Sequence, residues 1–101
     1  MDCCTLFNQR ITDFCKALGN EKRQEIILGV FNDNGEHNIT EVAERVKIAQ
    51  STASEHLSLL KRAGVLVSKK VEKEVYYKLD RRSIIDIMDE IKLRLSCCLD
   101  D

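Results

Sequence analysis

Five cysteines are the most reactive side chains in the sequence, and four of them form adjacent pairs: Cys3-Cys4 near the start and Cys97-Cys98 near the end. Thiolates are soft ligands suited to As(III), Cd, Zn or Cu(I), and neighbouring thiols also support disulfide or persulfide chemistry. An odd number cannot pair fully within one chain, so thiol chemistry is expected here rather than a disulfide frame. Doublets at both ends are hard to account for as packing, which makes Cys3, Cys4, Cys97 and Cys98 the candidate metal or thiol-sensing residues. Cys15 is the weaker candidate. It shares an apolar stripe with Ile11 and Leu18, which predicts a small buried side chain, and it lies about 16 Å from Cys4 along a helix rising 1.5 Å per residue. The two histidines, His37 and His56, stand in unrelated contexts and supply no acid–base pair, so the residues do not suggest an enzyme.

A second group of residues suits recognition rather than reaction. In Gln50-Ser51-Thr52-Ala53-Ser54-Glu55-His56-Leu57, every side chain off the apolar line of Ala53 and Leu57 is polar. Gln pairs bidentately with adenine, Ser and Thr hydroxyls reach phosphate or base, and Glu can accept from a cytosine amine. His56 is open between a phosphate contact and a brace for the turn. Downstream, Lys69, Lys70 and Lys73 cluster on a β-rich stretch. They suit phosphate contacts, with protection of a strand edge as the alternative.

These residues require elements to hold them. Phe7, Ile11, Phe14 and Leu18 recur at helical spacing, predicting a first helix over 6–18 that ends at Gly19. Asn20 is placed to cap a second, with Ile26, Ile27, Val30 and Phe31 inward, that stops in Asn32-Asp33-Asn34-Gly35. Residues 36–39 suit a very short strand. Thr40 then reads as the cap of a third helix with Val42, Ala43 and Val46 on its inner face. A fourth helix over 50–62 carries Ala53, Leu57 and Leu60 inward and closes with a left-handed cap at Gly64. Residues 65–68 and 74–79 read as a hairpin whose turn, lacking glycine, predicts a longer loop. Asp80 caps a last helix in which Ile84, Met88, Ile91 and Leu95 form a stripe widened by Ile85 and Ile87, broad enough to pack against a second subunit.

Two helices joined tightly and followed by a hairpin make a winged helix-turn-helix, in which the second helix enters the major groove of DNA and the hairpin reaches nearby phosphates. The expected fold is therefore mainly α, with five helices and a small β-hairpin, in one domain over residues 1–101. A chain of 101 residues buries a modest core, so a dimer is expected. Hydrophobic residues at 44% and charged residues at 33%, with no proline, fit an ordered globule. A net charge of −1 excludes binding by bulk positive charge but permits a local basic face. No apolar run approaches the roughly 20 residues that span a bilayer, and no signal-peptide pattern opens the sequence. A cytoplasmic location and no membrane partner follow as expectations.

The stretches Lys16-Ala17-Leu18-Gly19-Asn20-Glu21-Lys22-Arg23, Glu41-Val42-Ala43-Glu44-Arg45, the run from Gln50 through Ser54-Glu55-His56-Leu57 to Lys61-Arg62-Ala63-Gly64-Val65-Leu66-Val67, and Val75-Tyr76-Tyr77-Lys78-Leu79 occur in order across nearly the whole chain. Together they resemble the ArsR/SmtB family of small dimeric winged-helix repressors. The resemblance implies operator DNA as partner, a homodimer built from the first and last helices, and release from DNA when a metal, a metalloid or a thiol-oxidising signal acts on the dimer. No cofactor is obligatory on that view, and As(III), Cd or Zn would be inducers. Three departures stand out. Ala49 replaces a usual capping serine, no cysteine lies in 40–45 where arsenic sensors carry theirs, and Asp86 has no histidine partners along the last helix. Alternatives are a redox- or persulfide-responsive repressor of the same fold, a metal-binding or thiol-redox protein without DNA binding, and a dimerising antagonist of another repressor.

Overall fold

The computed structural model describes residues 8–98. Helix α1 (Gln9–Leu18) starts where the Asn8 side chain accepts from the amide of Ile11, so the part of the expected first helix before Asn8 lies outside the described residues. Helix α2 (Glu21–Glu25) is capped by Asn20, whose side chain accepts from Arg23 N, as the sequence led us to expect. The chain then departs from α geometry. Ile26–Val30 winds as a π turn and Phe31–Asp33 as a 3-10 turn, closed by Asn34 in the left-handed region at φ 61°. Ile26, Val30 and Phe31 are buried, Ile27 is half-buried, and Leu28 is left facing outward.

Strand β1 (His37–Asn38) runs straight into helix α3 (Ile39–Val46). The cap is Asn38, not Thr40. Asn38 Oδ1 accepts from the Glu41 amide at 2.9 Å while Glu41 Oε1 accepts from the Asn38 amide at 3.2 Å, a reciprocal box that satisfies two amides otherwise left over at a helix start. Thr40 is an exposed first-turn residue. Val42, Ala43 and Val46 are buried as expected. Lys47 closes α3 with a positive φ of 58° and an amide bonded to the Ala43 carbonyl, which turns the chain quickly enough for helix α4 (Gln50–Arg62) to begin three residues later.

Helix α4 buries Ala53, Leu57 and Leu60. It ends in a Schellman arrangement, in which Gly64 N donates to Lys61 O at 3.1 Å and Val65 N to Leu60 O at 2.9 Å. Gly64 sits at φ +83°, and a Cβ there would lie 2.9 Å from Ser83 Oγ, so both backbone and space call for glycine.

Strands β2 (Leu66–Val71) and β3 (Glu74–Leu79) pair antiparallel from Leu66↔Leu79 to Val71↔Glu74. The connection is two residues, Glu72 and Lys73, shorter than the absence of glycine suggested. Glu72 itself takes the positive φ, 57°, that a tight hairpin demands. Strand β1 adds to β3 through His37↔Tyr77 and Asn38↔Tyr76, so the hairpin belongs to a three-stranded sheet of order β1-β3-β2. Helix α5 (Arg81–Cys98) begins where Asp80 Oδ1 accepts from Ser83 N, the expected cap, and packs on α1 with Ile87 buried and Ile84 and Ile91 half-buried.

Candidate nucleic-acid interface

Helix α4 is held from inside by its apolar line and from the side by α2. Arg23 is the centre of that lateral support. Its Nε donates to Ala17 O at 2.7 Å, one terminal nitrogen to Lys16 O at 3.2 Å, and the other to His56 Nδ1 at 3.3 Å. Both carbonyls lie in the last turn of α1, where Lys16 O also accepts from the Gly19 amide at 3.2 Å. One guanidinium therefore ties α1, α2 and α4 together. Beside it, Lys22 Nζ donates to Val46 O at 3.3 Å, adding the end of α3, and pairs with Glu25 at 3.0 Å.

With this support behind it, α4 leaves Gln50, Ser51, Thr52 and Glu55 exposed and Ser54 and His56 half-buried. Ala49 provides no side-chain bond to the start of α4, so the amides of Gln50, Ser51 and Thr52 have neither cap nor intrahelical acceptor and form the positive end of the helix dipole. His56 is tied to α2 through the Arg23 contact at its Nδ1. Burial first, then the charge of Arg23, holds its imidazole below the ordinary histidine value, while Glu55 opposes them.

The wing lysines differ from one another. Because successive strand residues face opposite sides, Lys69 lies on the side of Tyr76 and Lys78, whereas Lys70 pairs with Val75 on the side of buried Tyr77. Lys69 Nζ is engaged by Glu36 at 2.9 Å. Lys70 and Lys73 are exposed and make no ion pair among the described residues. Lys47, exposed at the turn before α4, was not singled out from the sequence; its left-handed φ is the feature that brings it there, and nothing in its residue type announces this.

At the root of the wing, His37 is buried between two carboxylates, with Nε2 3.0 Å from Asp33 Oδ2 and Nδ1 3.2 Å from Glu41 Oε2, and its ring meets Phe31 edge-on. Asp33 is held below its ordinary value chiefly by the Gly35 amide and then by His37. Glu41 is held down chiefly by His37 and then by the Asn38 amide.

Cys15 is the one cysteine whose side chain the structure describes. Cys15 is exposed, contrary to its expected burial, because α1 turns Phe14 and Ala17 inward and leaves the next position outside. Cys3 and Cys4 lie outside the described residues. The backbone of α5 reaches Cys97 and Cys98. Among the described residues, no three His, Cys, Asp or Glu side chains stand close enough to hold a metal ion.

A braced polar helix after a short turn, followed by a lysine-tipped sheet, is a winged helix-turn-helix. Residues 20–69 match the bacterial regulatory proteins of the arsR family. The chain belongs to that family. It is 32% identical to the transcriptional activator HlyU of Vibrio cholerae, over 81% of this chain and 73% of HlyU. It is 35% identical to a cadmium resistance transcriptional regulatory protein CadC homolog of Staphylococcus aureus, over 74% of this chain and 61% of that protein. Among solved structures, HlyU superposes with a TM-score of 0.64 at 29% identity, covering 88% of this chain and 94% of that one. A homodimeric winged helix-turn-helix DNA-binding domain from Mycobacterium bovis superposes with a TM-score of 0.68 at 21% identity, covering 90% and 82%. The latter likeness speaks to the fold. These relatives are transcriptional regulators, and no described helix is long and apolar enough to cross a membrane.

Proposed function

We propose that this regulator is a cytoplasmic homodimeric repressor that binds operator DNA, with α4 in the major groove and the sheet tip against the flanking backbone. The observation that carries the reading is the laterally braced α4, which exposes Gln50, Ser51, Thr52 and Glu55 beside a wing whose Lys70 and Lys73 have no protein partner among the described residues. Gln50, Ser51, Thr52, Ser54 and Glu55 read base edges or adjacent phosphates, His56 supports them, and Lys70 and Lys73 supply sequence-independent attraction. Lys69, held by Glu36, contributes less. Two copies are supported by the outward apolar residues Ile85, Met88, Leu93 and Leu95 of α5 and by the homodimeric Mycobacterium bovis domain. Occupying a promoter suffices to block polymerase. HlyU, an activator, shows that relatives also act in the other direction.

The experiment is salt-dependent binding to duplex from the chain's own upstream region. Lys70→Ala is expected to weaken binding to every sequence and lower the salt slope by about one, whereas Gln50→Ala changes the ranking of operator variants. Identical behaviour of the two variants would overturn this division of labour.

A thiophilic inducer is the regulatory reading, supported by the two cysteine doublets and by the cadmium resistance regulator among the relatives. Cys97 and Cys98, alone or with Cys3 and Cys4, would supply thiolates for As(III), Cd or Zn, and Cys15 remains the weaker candidate. Differential binding worth a few kcal/mol shifts a two-state dimer decisively. Operator release by these ions should disappear when both doublets are replaced by serine, and release that survives overturns the assignment. The same doublets support a redox- or persulfide-driven version, which oxidant-induced release without metal would favour.

A further inference from the structure

The hydrogen bonds around His56 fix which of its nitrogens is available to a ligand. A guanidinium carries only N–H groups and cannot accept. Since Arg23 faces Nδ1 at 3.3 Å, Nδ1 must be the accepting, unprotonated nitrogen, and the ring's proton sits on Nε2. No described residue accepts from that Nε2–H. The ring is half-buried on α4, one helical turn beyond exposed Thr52 and on the same edge of the helix.

We propose that Arg23 is a positioning residue for DNA binding: it locks His56 in the Nε2–H tautomer and presents that hydrogen as a donor to a phosphate oxygen beside the groove. The inference rests on the DNA-binding reading above. Arg23 itself is anchored to the carbonyls of Lys16 and Ala17, so it cannot swing towards DNA without giving up the end of α1. Its charge is therefore used at second hand, through the imidazole. The charged groups near the ring are Arg23 and Lys22 from α2 and Glu55 from α4. The two cations disfavour a second proton on His56, which keeps Nδ1 free to accept.

Two measurements test this, the first without DNA. Nitrogen-15 NMR of the imidazole in the intact protein at neutral pH should show Nδ1 as the unprotonated nitrogen and Nε2 as the protonated one. Arg23→Lys should convert this to a mixture of tautomers, because an ammonium cannot reach three acceptors with the same fork. An Nδ1–H tautomer or an imidazolium in the wild type overturns the proposal. In the second, affinity for duplex from the chain's own upstream region is compared for His56→Gln, whose amide nitrogen can stand in for Nε2, and His56→Asn, which is too short to do so. The Asn variant should lose at least about tenfold in affinity, the worth of one hydrogen bond to a charged group, with Gln restoring most of it. Far-UV circular dichroism and melting temperature confirm that each variant is folded. Equal affinity of His56→Asn and wild type overturns the proposal while leaving the DNA-binding reading intact. A wild type that does not bind duplex overturns both.

Discussion

Single residues in this protein settle questions that residue type leaves open. His37 sits where the chain passes from the 3-10 turn into β1 and α3, with Nδ1 facing Glu41 and Nε2 facing Asp33. Asp33 and Glu41 are depressed below their ordinary values of 3.8 and 4.5, so what they contribute is fully present above those values and is lost as pH falls through the lower folded values. Stability measured by urea denaturation should therefore decline as pH falls below the ordinary carboxylate range, through the depressed folded values of Asp33 and Glu41. His37→Ala should flatten that limb, because it removes the main cause at Glu41 and the second cause at Asp33 while the Gly35 amide still holds Asp33. An acid limb of unchanged steepness in the variant would contradict this account.

At the scale of elements, periodicity located the helices and said little about how the chain enters and leaves them. The 50–62 helix, its buried Ala53, Leu57 and Leu60, and the Gly64 cap all follow from spacing and from glycine's tolerance of positive φ. The α3 cap lies two residues before the Thr40 that the sequence suggests, because Thr and Asn are both good caps and only the strand-to-helix handover at Asn38 decides between them. The hairpin turn is shorter than the lack of glycine predicts because Glu72 accepts a conformation that costs an L-residue about 1–2 kcal/mol, within a ladder of six pairs. The π turn at Ile26–Val30 leaves no trace in a pattern of apolar residues, since Ile26, Val30 and Phe31 are inward in any helical reading. Of the interface, the α4 residues were legible as a polar helix face. The role of Arg23 was not, because it depends on carbonyls and an imidazole from two other helices. The uncapped start of α4 is also testable. Ala49→Ser should raise stability by about 1 kcal/mol by accepting from the free amides, as read by chemical denaturation. No gain would mean those amides are already satisfied in the assembled protein.

Over the whole molecule, the apolar surface is unevenly spread. Leu28, Ile85, Met88, Leu93 and Leu95 are all more than half exposed, and Leu28 and Met88 flank an apolar cleft with Phe14, Leu18, Ile27 and Ile84. A lone domain gains nothing from such a surface, and a twofold partner would cover it on both copies at once. Met88→Glu should shift sedimentation equilibrium towards monomer and weaken operator binding in parallel, since two half-sites are then no longer held together. A dimer that persists would move the interface elsewhere. The exposed apolar residues lie on α5 and beside α1, apart from the exposed polar side chains of α4. Under the dimeric reading, an allele damaged only in α4 would still recruit healthy subunits into crippled pairs. Such alleles should behave as dominant in a cell that carries both copies, whereas alleles damaged in α5 should be recessive.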